Sequence, residues 1–123
     1  MKSHKDLEVW KTSMSLAKQV YEITQTYPKE ETYGMTSQMR RCAVSIPSNI
    51  AEGASRNRNG VKEFIQFLYI ATGSASELDT QIELSRSIGL ADSENLTQLQ
   101  EQTTKVLMML RGLIRSLKKQ DTT

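Results

Sequence analysis

From Leu96 onward, Leu99, Thr103, Val106, Leu110, Leu113 and Leu117 follow one another at steps of three and four residues. That spacing is the period of one face of an α-helix. The stripe implies a helix of about 25 residues, close to 40 Å long. An apolar seam of that length must be covered by other helices of comparable length. Three further stretches supply them. In the first, Leu7, Trp10, Met14, Ala17, Tyr21 and Thr24 keep the same spacing, and Val9, Leu16, Val20 and Ile23 form a second stripe on a neighbouring arc. Pro28 ends this helix, because a residue before proline is pushed out of the helical region. A second helix begins near Met35 or Thr36 and carries Met35, Met39, Cys42, Ile46, Ile50 and Gly53 on one face. Arg56-Asn57-Arg58-Asn59-Gly60 reads as a turn. The third helix has Phe64, Leu68, Ala71, Ala75, Leu78 and Ile82 as its stripe, Gly89 stands where a C-terminal cap is expected, and Asp92 or Ser93 can cap the fourth.

Helices at about 6–26, 35–56, 61–87 and 93–119, joined by short connections, predict one all-α domain over residues 1–123: an antiparallel up-down-up-down four-helix bundle. With two prolines and six glycines in 123 residues, little interrupts helix formation. No apolar run approaches the ~20 residues of a membrane span. The charged opening MKSHKDLEVWK lacks a signal-peptide core, and the single Cys42 fits a reducing cytoplasm.

The second helix carries a further regular set: Gln38, Arg41, Ser45, Asn49, Glu52 and Arg56. At 100° per residue this polar row lies only about 60° from the apolar one. It therefore borders the core, either as a hydrogen-bonded seam inside the bundle or as a contact with another chain. Pro47 lies between the two rows' halves. It removes an N–H from the ladder, and a kink is the expected result because both rows continue in phase across it. The rival is a full break, with Asn49 capping a new helix and Glu52 closing a capping box.

Residues 38–56, QMRRCAVSIPSNIAEGASR, with EFIQFLYIATGSASEL at 63–78, resemble a four-helix-bundle family first noticed as open reading frames in 23S ribosomal RNA intervening sequences. HKDLEVWKTSMSLAKQVYEIT and YPKEETYGMTSQMRR fit the same family, so the resemblance covers about residues 4–90. It is related in fold to the accessory variability proteins of diversity-generating retroelements. The resemblance implies a homopentamer with a basic face and a nucleic-acid-binding role. The small residues of ATGSAS at 71–76 suit close helix approach, within the chain or between copies. Trp10 is expected in the core, and Phe67 and Tyr69 at a subunit interface or against the first helix.

The residue inventory argues against an enzyme. His4 is the only histidine and is expected in a loose N-terminal stretch. No Glu-x-x-His pair, zinc spacing, P-loop or dinucleotide fingerprint occurs, so neither metal nor cofactor is expected. Cys42 sits on an apolar stripe and reads as an inert buried thiol. Glu52 and Glu77 read as members of a polar seam with Arg41 or Arg56 and not as an acid–base pair. No cluster of polar groups convergent on a small ligand is legible.

Charge is unevenly distributed behind a net +2: residues 1–34 are neutral, 35–62 carry +4, 63–95 carry −5 and 96–123 carry +3. Such a pattern gives complementary neighbouring helices, or a basic surface for an anionic partner. On the second reading the protein is a non-enzymatic oligomer binding nucleic acid, structured RNA over DNA. Arg40, Arg41, Arg56, Arg58, Lys62, Arg111, Arg115, Lys118 and Lys119 would then meet phosphates, with Arg58 and Lys62 the freest. Gln38, Ser45, Asn49, Glu52 and Glu77 would form the polar seam or subunit interface. The alternative is an interaction scaffold or accessory subunit for a nucleic-acid enzyme. Membrane binding by RGLIRSLKK is set aside, because its stripe continues the core.

Overall fold

A computed structural model describes residues 3–121. It contains α1 (Glu8–Thr24), α2 (Met35–Ser55), α3 (Val61–Ser87) and α4 (Ser93–Asp121), with short 3-10 turns at His4–Asp6, Lys29–Glu31 and Asn57–Asn59. Among the described residues there is no strand. Each helix packs on its two neighbours in a ring, most extensively α2 on α3 and least α1 on α4, while the backbones of the diagonal pairs stay apart. Partners across each seam run in opposite directions along the chain. Met39 meets Ser85, Cys42 meets Gln81 and Ser45 meets Ser74 between α2 and α3. Arg86 meets Thr97, and Lys118 lies over Tyr69, between α3 and α4.

The helix ends follow local chemistry. Asp92 accepts from the Glu94 N–H at 3.1 Å and is the N-cap of α4. Gly89, at φ +73°, lets α3 finish with the Leu90 N–H on the Ser85 carbonyl and its own N–H on that of Arg86. That is the paired closure a left-handed residue after a helix permits. Gly60, at φ +110°, performs the reversal into α3. The stretch around His4 is not loose: Ser3 and Asp6 form a capping box, and the His4 ring stands edge-on to Trp10 at 5.2 Å.

The stripes of α2 and α3 are buried as their spacing requires, Met35 only partly. Two details differ from the sequence reading. In α1 the arc that faces inward is Val9, Ser13, Leu16, Ala17, Val20 and Thr24; Met14 and Tyr21 are exposed and Trp10 is half-buried. Both arcs satisfy the helical period, and the positions of α2 and α4 select between them. In α4 the seam passes through Ile114, with Leu113 only partly buried. A straight helix drifts about 20° per heptad from a 3.5-residue repeat, so a four-residue step takes over late in the stripe.

α2 is continuous through Pro47, which is itself buried. The full break does not occur. Asn49 does not cap a new helix; its side-chain amide donates back to the Ser45 carbonyl at 2.8 Å and the Ser45 hydroxyl at 3.0 Å. Glu52 closes no capping box and instead accepts from Arg56 Nε at 3.1 Å.

Candidate nucleic-acid interface

The turn between α2 and α3, the start of α3 and the end of α4 lie at one end of the bundle. Arg56 bridges to Glu63 at 3.6 Å and its guanidinium lies 5.7 Å from the Phe67 ring, tying the end of α2 to the start of α3. Lys118 stands 5.2 Å from the Tyr69 ring, tying the end of α4 to the same place. Phe67 and Tyr69 thus pack toward α2 and α4, and not toward α1. Antiparallel connectivity is what joins two basic segments separated by fifty residues of sequence. Arg111, Arg115 and Lys118 share one face of α4 at helical spacing.

Segments 3–14, 50–70 and 108–121 make up this half of the bundle and hold nine Lys/Arg against five Asp/Glu. The remaining described segments hold six against nine. The bundle is therefore polarised along its length. Arg58, Lys62, Arg111 and Arg115 are exposed and take part in no ion pair among the described residues. Arg56 is committed to Glu52 and Glu63, both contacts half-exposed and worth little in stability. Lys119 is exposed on the same end.

Arg40 and Arg41 lie elsewhere, at the opposite end. Arg40 donates from Nε to Thr24 Oγ1 at 2.9 Å and from its fork to the Tyr21 carbonyl at 3.4 Å, with its guanidinium 4.6 Å from the Tyr21 ring. It fastens α2 to the last turn of α1. Arg41 is exposed and unpaired among the described residues.

Complementarity between helices uses fewer of these charges than the segment totals imply. Among the described residues, the ion pair that joins the acidic third helix to a basic segment is Arg56–Glu63. Two of the acids of α3 share one α4 amide: Gln100 donates to Asp79 at 3.1 Å and to Glu83 at 2.8 Å, and Arg86 of α3 itself joins Glu83 at 2.6 Å. The Gln100 amide and the Arg86 guanidinium together hold the Glu83 carboxyl below its usual range.

The polar row of α2 is split. Ser45 and Asn49 are half-buried in the α2–α3 seam, with Ser45 Oγ 2.8 Å from Ser74 Oγ; Gln38, Arg41, Glu52 and Arg56 are exposed. The Ser45–Ser74 level separates Glu52 from Glu77, which therefore stand about 15 Å apart along the helix axis and form no carboxylate pair. Cys42 is buried beside Gln81, and burial, aided by Glu77, pushes its thiol up to about 11. A thiol so protonated at neutral pH is a poor nucleophile. Among the described residues no group of His, Cys, Asp and Glu could hold a metal ion, and no helix is long and apolar enough to cross a membrane.

The largest cleft, about 770 Å³, lies where α1 and α4 pack most loosely. Its floor includes Ile23 and Leu99, and its lining has Glu22, Asp92 and Glu101 but no basic side chain. Phosphates are repelled there.

Three comparisons place the chain. A solved structure from Bacteroides thetaiotaomicron, described as a protein with unknown function from the S23 ribosomal protein family, superposes with a TM-score of 0.79 at 23% identity, covering 87% of this chain and 95% of that one. At that identity the likeness is one of fold. A curated relative from Synechococcus sp. (strain JA-2-3B'a(2-13)), described as a bifunctional pantoate ligase/cytidylate kinase, is 38% identical over 74 residues. Those residues are 60% of this chain and 14% of that protein, so the likeness concerns one segment of a much longer chain. The family model described as 23S rRNA-intervening sequence protein matches residues 5–112, and the chain belongs to that family.

Proposed function

We propose that this protein is a non-enzymatic helical bundle of the cytoplasm that binds nucleic acid, structured RNA in preference to DNA, through the basic end of the bundle. Arg58, Lys62, Arg111 and Arg115 are the principal phosphate contacts, with Lys118 and Lys119 beside them. The observation that carries this reading is the polarisation: Arg58, Lys62 and Arg115 stand exposed and without ion pairs among the described residues in one half of the bundle, with Arg111 near its middle, while the largest cleft, toward the other end, is lined by three carboxylates. A few cations per subunit become a large field when copies assemble symmetrically, and the family resemblance suggests a pentamer for that role.

The test is a titration of structured RNA and duplex DNA at low and moderate salt, with the protein's mass in solution measured alongside. Each neutralised phosphate steepens the salt dependence of duplex binding by about 0.9 in log–log slope. Wild type should bind with steep salt dependence, and Arg58→Glu/Lys62→Glu should weaken binding severely and flatten the salt dependence of what remains. Absence of binding at low salt by the folded protein overturns the reading.

A second reading, a docking scaffold for a partner protein, is favoured by the α1–α4 cleft, whose apolar floor and acidic rim suit a polypeptide better than a phosphate backbone. Docking there through Ile23, Ala91 and Leu99 would lose less affinity as salt rises than phosphate contacts do.

A further inference from the structure

A second, smaller cleft opens between the first half of α2 and the middle of α3. It measures about 350 Å³ and is lined by Tyr33, Ser37, Gln38, Arg41, Cys42 and Glu77. No segment of the sequence displays this cluster, because Arg41 and Glu77 come from different helices. Both are exposed, and neither forms an ion pair among the described residues although they line the same cavity. A guanidinium and a carboxylate thus face one small space, unpaired with each other, and the carboxylate is only partly engaged, by Gln81.

Behind them Gln81 is 6% exposed. Its amide nitrogen is shared between Glu77 Oε2 and Cys42 Sγ, both at 3.5 Å, and its oxygen has no partner. The amide therefore sits against two walls of the cleft and holds the Glu77 carboxylate from behind. At the mouth, Tyr33 is 96% exposed, an unusual cost for an aromatic ring that covers nothing in the chain itself.

We propose that this cleft is a guanine-binding site, in which the Glu77 carboxylate accepts from N1–H and the 2-amino group while Arg41 donates to O6 and N7. Tyr33 stacks on the face of the base, the manner in which unpaired RNA bases are held on exposed aromatic rings. Gln81 is a positioning residue for Glu77. The donor–acceptor order disfavours adenine and uracil. Adenine turns the N1 lone pair toward the carboxylate and offers no oxygen to Arg41. Uracil offers a single N–H flanked by two carbonyls, one of which meets the carboxylate. Arginine paired to O6 and N7 is a frequent specific contact to guanine. A hollow of about 430 Å³ lined by Tyr21, Arg40, Arg41 and Val44 adjoins the cleft and leaves room for a flanking nucleotide.

For a base carried on RNA the inference rests on the nucleic-acid reading above; the same chemistry would also accept a free guanine nucleotide. The test uses the full chain and fluorescently labelled heptanucleotide RNAs of uridine with a central guanosine, inosine or adenosine, with GMP titrated separately by calorimetry. The guanosine oligomer should bind about tenfold or more tighter than the adenosine one, with inosine, which lacks the 2-amino group, in between. Glu77→Gln should erase the preference while leaving the melting temperature and the salt dependence in place, since Glu77 is exposed. GMP binding that Glu77→Gln abolishes assigns the site to free nucleotide as well; preference without GMP binding assigns it to RNA. Equal affinity for all three oligomers with no GMP binding, or a preference that survives Glu77→Gln, overturns the proposal. Salt-sensitive binding without base preference leaves the basic end standing and removes the guanine site. GMP binding by a protein that fails to bind structured RNA does the reverse.

Discussion

Gly53 on α2 approaches Phe67 on α3 so closely that a Cβ added to the glycine would lie 2.8 Å from the Phe67 Cβ, with Phe64 Cδ1 at 2.9 Å and the Phe64 carbonyl at 3.2 Å. Two of these obstacles are backbone or the first atom of a side chain, and neither can swing aside. The absent side chain is what allows α2 and α3 to meet at this level, near the turn that joins them.

Gly53→Ala therefore sets two effects against each other. Helix propensity alone favours alanine by about 0.5–1 kcal/mol. Overpacking costs about 1–3 kcal/mol and is expected to win. Gly73→Ala is the control, since nothing lies within 4 Å of its added Cβ. Urea denaturation should show Gly53→Ala destabilised and Gly73→Ala stabilised; stabilisation of both would mean the α2–α3 approach is looser than described.

Ser45 and Ser74 should be energetically coupled. Their hydroxyls are 2.8 Å apart in a half-buried seam, and Asn49 adds a donor to Ser45. A double-mutant cycle of Ser45→Ala and Ser74→Ala should give an interaction of about 0.5–1.5 kcal/mol. The coupling should be independent of protein concentration, as befits a contact within one chain.

Arg40→Ala should lower stability by about 1–2 kcal/mol, because it removes charge-assisted bonds to Thr24 and Tyr21 and the contact with the Tyr21 ring. Its effect on the salt slope of RNA binding should be small beside that of Arg58→Glu/Lys62→Glu. An equal drop in slope would return Arg40 to the phosphate-binding set.

Cys42 should resist thiol reagents in the native protein and react on unfolding. Burial raises its pKa from 9.0 to about 11, so the folded state retains a proton that the unfolded state has already lost between those values. The linkage sign follows: this group's contribution to stability is complete below pH 9 and falls as pH rises toward 11. Native reaction with an aromatic disulfide at pH 8, monitored against a denatured sample, checks the first point. A Cys42→Ser variant whose stability falls as steeply between pH 9 and 11 would refute the second.

Ile114→Ala should cost more than Leu113→Ala. Full burial of Ile114 places the loss within the usual ~2–5 kcal/mol for truncating a core residue, whereas Leu113 is only partly covered. Thermal melts of the two variants decide which residue carries the seam.

The sequence by itself determined the four helices and nearly all of their ends. Apolar spacing, Gly60, Gly89, Asp92 and Pro28 act within one or two turns, and local steric and hydrogen-bonding preferences are enough to set them. It also determined the buried faces of α2 and α3, where a single apolar stripe leaves no choice. Tertiary structure decided whatever depended on a neighbour. Two arcs of α1 obey the same period, and only the position of α2 and α4 selects Val9, Leu16 and Val20 over Met14 and Tyr21. The polar row of α2 divides at Ser45 and Asn49 because α3 covers those two and not the rest. Arg58 and Lys118 come to lie in one basic half of the bundle, and Arg41 and Glu77 share one cleft, only because antiparallel packing brings distant stretches of sequence together. Helical period fixes direction around one axis; what stands opposite is a property of the other helices.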